Sequence, residues 1–281
     1  SVAHLGIAAV GVGLLEADGR AGAGLYIASH AAVKMSLFLG AGILLHRYAT
    51  MQLTDLAGKG RAVWPLAGMF TIGGLVLAGG PPSGLFAGKG LIEEAAEKVD
   101  LGWVVVLLYL AAALTGAAVI RVVLYLLRTD APRESSPIFV REGSRETYEK
   151  GGIVLMSVIV AVLLVAGILM PLIGNFVGGL ETVGEDGFDR KRYVSSVLTG
   201  TADPVKSESS HDLWKLENLA KGSSSAVFAV LVGVLVASRH RLKLELILGW
   251  LRRLHSGHVG DYVVWLTIGS AGIIGWLLWR M

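Results

Sequence analysis

The sequence predicts an all-α, polytopic membrane helix bundle in which one transmembrane helix is broken. Three observations predict it. Apolar residues make up 53% of the 281, charged residues only 17%, and the mean hydropathy is +0.63; an ordinary soluble domain carries roughly 25% charged residues. Apolar stretches recur at close to the ~20 residues that a helix needs to cross a ~30 Å hydrocarbon core. One such stretch is interrupted by Gly80-Pro81-Pro82-Ser83-Gly84.

Seven spans are expected. Val2 to Leu15 is short for a crossing. The second runs from Ala23 to Leu45, and the third from Val63 to Gly79, resuming after the interruption from Leu85 to Ala96. The fourth is Leu101 to Leu127, and the fifth is Ile153 to Val177 with Pro171 inside it. Ala226 to Ala237, extended at its start by small residues, is the sixth, and Tyr262 to Trp279 the seventh. Ser1 is followed at once by apolar residues, with no basic n-region and no cleavage site, so this start is not a signal peptide and reads as the middle of something longer.

The connections set the orientation. After spans two, four and six they carry 3, 5 and 5 Lys or Arg: Arg47, Lys59, Arg61; Arg128, Arg133, Arg141, Arg145, Lys150; Arg239, Arg241, Lys243, Arg252, Arg253. After spans one and three they carry only Arg20 and Lys98. Positive charge stays cytoplasmic, which places the three basic connections there. The net charge of +3 belongs to these loops rather than to a nucleic-acid surface. Residues 181–224, with 6 basic and 8 acidic side chains, form a long external loop with a short helix near Asp212 to Leu219. Arg241 to Leu254 alternates apolar and charged residues as an amphipathic helix lying on the cytoplasmic surface; it is either a connector or a docking helix.

The chain has no cysteine, so it holds no disulfide, no Cys-ligated zinc and no iron–sulfur cluster. It also lacks a P-loop, a dinucleotide fingerprint, HExxH and a nucleophile elbow. His255 and His258 beside Asp261 have metal-like spacing, but at a membrane boundary between glycines they read as a polar-anchored turn, and no metal site is expected.

The informative residues are ionisable groups inside the apolar spans, where a charge costs roughly 2.5–3.5 kcal/mol on insertion scales. His30 and Lys34 are four apart and share a helix face, and Tyr26 precedes them on it. Lys34 lies about 17 Å into its span by helical rise, too deep for easy snorkelling. These groups read as a proton relay, against a plain interhelical hydrogen bond. Pro81 and Pro82 cannot continue a helix, and Gly84 adds backbone freedom. Irregular backbone at membrane depth is tolerated only where protein or a water-filled cavity surrounds it, so the break either offers Lys89 a polar pocket or separates two short interfacial helices with Lys89 at the surface. Glu93 and Glu94 are either a proton exit or a solvated helix end. Arg121, seven residues before Arg128, snorkels in part or pairs with a distant carboxylate. His4 either joins the polar line or is a packing residue.

Three stretches then carry a resemblance: Ser1-Val2-Ala3-His4-Leu5-Gly6, His30-Ala31-Ala32-Val33-Lys34-Met35-Ser36-Leu37-Phe38 and Gly84-Leu85-Phe86-Ala87-Gly88-Lys89. The chain resembles the antiporter-like subunits of respiratory complex I, Mrp-type cation/proton antiporters and membrane-bound hydrogenases. The first stretch is similar to that family's Ser-[Ile/Val]-[Ala/Ser]-[His/Gln]-[Leu/Ile]-Gly segment, which follows a conducting lysine. The second is similar to its His-x3-Lys-x2-Leu-Phe motif. The third is similar to the Gly-x-Phe-x-x-[Lys/Glu] pattern of its broken helix, and Arg121 falls where the family's next helix usually has an arginine. The resemblance covers about the first 125 residues; the rest matches in hydropathy alone. Tyr26 stands where some members carry a second histidine.

The resemblance implies two inverted five-helix repeats, of which this chain supplies most of the second, together with the helices that follow. It implies a proton-channel half-repeat over residues 1–127 and C-terminal transmembrane helices over 128–281, with Arg241 to Leu254 too short for the lateral helix of one complex I subunit. It implies proton conduction, or exchange of Na⁺ or another cation for protons, through His30, Lys34 and Lys89. Tyr26, His4, Arg121, Glu93 and Glu94 are the accessory groups. No cofactor is expected in this chain, and any redox chemistry sits in partner subunits. The partners implied are other membrane subunits, one of them carrying or continuing the missing first repeat, in the inner (plasma) membrane. The competing reading is a structural anchor subunit of a redox or hydrogenase complex without an ion path of its own.

Overall fold

The computed structural model describes residues 2–14, 16–128, 150–169, 216–237 and Thr267. The elements are α1 (Val2–Gly13), α2 (Ala17–Tyr48), the short α3 (Leu53–Leu56), a 3₁₀ turn (Lys59–Val63), α4 (Trp64–Leu77), α5 (Gly84–Lys98), α6 (Gly102–Leu126), α7 (Lys150–Leu169) and α8 (Leu216–Ala237). No strand occurs among the described residues. Among the described residues, three helical stretches are long and apolar enough to cross a membrane: Ala17–Tyr48, Lys59–Leu77 and Gly102–Leu126. The fold is therefore the expected all-α membrane bundle.

Where the helices begin and end departs from the hydropathy pattern. α2 starts six residues before Ala23 and ends three after Leu45, bringing Asp18 and Arg20 into its first turns. Glu16 is extended at its N-cap, and Asp18 complements the positive helix start. Its 32 residues span about 48 Å by helical rise. Pro65 opens α4, where its missing N–H costs nothing.

α8 is a correction to the loop expected over 181–224. Residues 216–224 are helical and continue into the apolar stretch, so this helix begins ten residues before Ala226. Ser223, Ser224 and Ser225 are indifferent helix formers, and hydrogen bonds of Ser225 to the Ala78 carbonyl at the end of α4 and of Tyr109 on α6 to Ser224 tie this stretch to the bundle. Several expectations lie outside the described residues: the part of span five beyond Leu169 with Pro171, the loop up to Lys215, the amphipathic helix 241–254, the His255/His258 turn, and span seven apart from Thr267.

α2 is the spine of the bundle, packed on α1, α5 and α7, while α6 packs on α4 and α8. Backbones approach closely where α2 meets α5. A Cβ on Gly22 would lie 2.6 Å from the Gly88 carbonyl oxygen, and one on Gly88 would lie 2.7 Å from that of Gly22 and 2.8 Å from the Tyr26 nitrogen. Only glycine fits there, as is common where membrane helices pack. Leu25, Leu77, Leu85, Leu91 and Ile92 fill the interior, whereas Met35, Phe38, Val106, Leu107 and Leu114 are exposed. An apolar outer surface is a liability in water and a requirement in lipid.

Candidate functional site

The break lies between α4 and α5. α4 ends in a Schellman arrangement. The Gly80 N–H donates to the Leu75 carbonyl at 3.0 Å, the Gly79 N–H to that of Val76 at 2.9 Å, and Gly79 takes φ +82°, a conformation that glycine adopts without strain. Pro81 and Pro82 then carry the chain to Ser83, the N-cap of α5. Its hydroxyl accepts from the Phe86 N–H at 3.1 Å and donates to the Gly80 carbonyl at 2.8 Å. Both helix ends at the break are thus satisfied by the residues that make it.

The break is enclosed by protein, the condition under which membranes tolerate such backbone. The Ser225 hydroxyl on α8 donates to the Ala78 carbonyl at 2.6 Å. A Cβ on Gly84 would collide with Ser29 of α2 and come within 3.2 Å of the Gly167 carbonyl oxygen of α7. On α6, the Tyr109 hydroxyl donates to Ser224 Oγ at 3.3 Å.

Lys89 sits inside this enclosure, 3% exposed. Its ammonium lies 3.4 Å from Glu93 Oε1 one helical turn on, and 5.3 Å from the Tyr109 ring centre. The Glu93 contact has ion-pair distance without hydrogen-bond geometry, so Nζ keeps buried donors without an acceptor among the described residues. A Cβ on Gly79 would lie 3.5 Å from this Nζ, which puts the ammonium against the broken segment. Glu93 is itself buried. Farther along the same face, Glu97 pairs with Lys221 of α8 at 3.5 Å.

Glu94 belongs elsewhere. Its carboxylate lies 3.8 Å from Lys98, which also binds Asp18 at the start of α2. The hydrogen bond to Asp18 holds the Lys98 ammonium above its ordinary range. This cluster ties the aqueous ends of α2 and α5 together.

A second group of polar residues lies where α1 meets α2. His4 is 1% exposed, and its Nδ1 shares a 2.6 Å hydrogen bond with the Tyr26 hydroxyl. The His4 and His30 rings stack with centres 4.6 Å apart and 20° between planes. The Tyr26 ring is 6.5 Å from that of His30 and nearly parallel to it. His4 Nε2 and His30 Nδ1 are buried without hydrogen-bond partners among the described residues. Lys34, one turn beyond His30, is half-buried, with its ammonium 5.8 Å from the ring centre of Phe38, itself 67% exposed. Lys34 therefore stands at the flank of the described helices rather than in their sealed interior.

Arg121 is half-buried, and its guanidinium lies over the Tyr125 ring at 5.6 Å. No carboxylate among the described residues pairs with it, contrary to one expectation for this residue. Tyr109, Ser225, Glu97 and Lys221 were not anticipated. Tyr109 and Ser225 sit in apolar or small-residue runs that read as packing, and Lys221 fell in the expected loop. No metal-competent cluster of three or more His, Asp or Glu occurs among the described residues.

Comparison with known proteins covers the same region. Residues 1–115 match the family model described as NADH:quinone oxidoreductase/Mrp antiporter, TM. A 150-residue segment is 27% identical to NADH-ubiquinone oxidoreductase chain 5 of Geomys personatus, covering 53% of this chain and 25% of that protein. Segments of 72 and 89 residues are each 33% identical to NAD(P)H-quinone oxidoreductase chain 4 of Parasynechococcus marenigrum (strain WH8102) and chain 4 3 of Picosynechococcus sp. (strain ATCC 27264 / PCC 7002 / PR-6). These cover 26% and 32% of this chain, and 13% and 16% of the relatives. The chain thus spans about a quarter or less of the length of these curated relatives. No solved structure gives a significant match.

Proposed function

We propose that this chain, whose residues 1–115 match the NADH:quinone oxidoreductase/Mrp antiporter transmembrane family, is a membrane subunit that conducts protons, or exchanges cations for protons, in a multisubunit assembly of that kind. Residues 1–127 carry the path, and the helices beyond complete its enclosure. Lys34 takes up a proton at the flank of α2. His30 passes it on, with His4 stacked against it as a second imidazole and Tyr26 holding His4 in place. Lys89 stores the proton behind the broken helix and releases it to Glu93.

One observation supports this reading above the others. The Lys89 ammonium is buried against interrupted backbone, with one carboxylate 3.4 Å away and no hydrogen-bond acceptor among the described residues. A purely structural lysine in such a place is normally fully paired, because an unsatisfied buried charge is costly. A lysine that must gain and lose its proton needs a partner near enough to attract the charge without locking it. The stacked imidazoles fit the same chemistry, since a neutral ring has one donor and one acceptor nitrogen and can pass a proton across itself.

The test is Lys89→Ala in membrane vesicles containing the native assembly. The initial rate of proton uptake falls at least about a hundredfold, the lower end of what losing one positioned proton-transfer group does, while the subunit still assembles. Unchanged transport in an assembled Lys89→Ala subunit would overturn the reading.

A further inference from the structure

The end of the bundle where α2 and α6 terminate carries cations that the proton path does not use. Tyr48, the last residue of α2, lies 5.0 Å from Lys59 Nζ and 5.9 Å from Arg47 Cζ, measured to its ring centre. Tyr125, in the last turn of α6, has the guanidinium carbons of both Arg121 and Arg128 at 5.6 Å. One hydrogen bond joins these clusters and a second holds the first cluster together. The Gly58 N–H donates to the Tyr125 carbonyl at 3.1 Å, and the Tyr48 hydroxyl donates to the Lys59 carbonyl at 3.2 Å. Four cations therefore gather on two neighbouring tyrosines.

Nothing anionic among the described residues answers them. None of the four reaches a carboxylate of a described residue within ion-pair distance. The acid of the intervening loop, Asp55, is occupied by the hydroxyls of Thr50 at 3.0 Å and Thr54 at 3.4 Å. Arg121 Nε is buried with no hydrogen-bond acceptor among the described residues, and a buried donor without a partner costs about 1–3 kcal/mol. Arg121 lies five residues before the end of α6, or about 7.5 Å along the axis, which places it near the membrane interface. Trp64 is 73% exposed at the start of α4 on the same end, as aromatic residues at that level commonly are. Leu45 and Leu127, 48% and 44% exposed, add apolar surface there.

We propose that this end binds the phosphate headgroup of an anionic phospholipid, held by Arg121 and Arg128 with Lys59 and Arg47 alongside. Arginine is suited to this role because its planar donors match phosphate oxygens in pairs. The exposed leucines and tryptophan favour a phosphate that brings acyl chains with it over a soluble one. The site is independent of the proton path, and either can fail without the other.

The experiment uses the intact, delipidated chain in its native assembly, titrated with dioleoylphosphatidylglycerol or dioleoylphosphatidylcholine and read by native mass spectrometry. Phosphatidylglycerol should bind at about tenfold lower concentration, the preference expected from two interfacial arginines. Arg121→Gln combined with Arg128→Gln should remove most of that preference, and Lys98→Gln at the opposite end should leave it unchanged. In the unaltered protein the preference should also shrink severalfold between about 0.05 and about 0.5 M salt, as screening requires, a measurement that needs no variant to fold. Equal binding of the two lipids, or a preference that survives the double substitution, overturns the proposal. Displacement of the lipid by millimolar inorganic phosphate also overturns it, because the site would then belong to a soluble anion.

Discussion

His4 and Tyr26 share a buried hydrogen bond of 2.6 Å across the contact between α1 and α2. It brings a second imidazole onto His30. The position on α2 one turn before His30, where some of the antiporter-like subunits this chain resembles carry a second histidine, is occupied here by this tyrosine. The second ring comes instead from the neighbouring helix. With the phenol donating to Nδ1, the His4 proton sits on Nε2, one of the two imidazole nitrogens left without a partner.

Tyr26→Phe tests that arrangement. The ring still fills its place, but His4 loses its partner in a buried site, which costs about 1–3 kcal/mol. The transport rate of the assembled subunit is expected to fall severalfold, with a lower unfolding midpoint in a denaturing detergent titration. Loss of stability with an unaltered rate would leave His4 as a packing residue only.

Replacing Lys89 and Glu93 together separates conduction from structure. Lys89→Met with Glu93→Leu exchanges a buried ion pair for apolar groups of similar size, a change that is often neutral or stabilising by about 1–4 kcal/mol. The double variant should therefore assemble at least as well as the parent and conduct no protons. Glu94→Gln, at a carboxylate that lies 3.8 Å from Lys98 rather than on Lys89, should leave the rate nearly unchanged. Conduction that persists in the double variant would move the path away from α5.

Gly88→Ala should loosen the bundle where α5 packs on α2. The added methyl meets backbone of α2 at 2.7–2.8 Å, which a rotamer change cannot relieve. Overpacking of this kind costs about 1–3 kcal/mol. Gly6→Ala meets nothing within 4 Å and serves as the control. Comparing the two by thermal unfolding in detergent checks the prediction, and equal midpoints would show that α2 and α5 can separate freely.

Ser83→Ala removes the cap of α5 and the hydroxyl bond to Gly80 together. Loss of such a cap costs about 1 kcal/mol, within a range of roughly 0.5–2. Because α5 begins at the break and Lys89 is in its second turn, amide exchange near Phe86 should accelerate. Ser83→Asp, which can still accept from the Phe86 N–H, should restore most of the protection. Unchanged exchange in Ser83→Ala would mean that packing alone holds the start of α5.

The amino-acid sequence by itself determined the helical membrane character, the break at Pro81 and Pro82, and the shared face of Tyr26, His30 and Lys34. These are local properties: hydropathy over about twenty residues, the missing N–H of proline, and the i, i+4 spacing of one helix. Only the tertiary structure decided that His4 stacks on His30, that Arg121 rests on Tyr125 without a carboxylate, and that α8 begins at Leu216 with Ser225 closing the break. The first and last of these depend on how far one helix slides and turns against another. That register is set where backbones touch, as at Gly22 and Gly88, and no periodicity within a single segment encodes it.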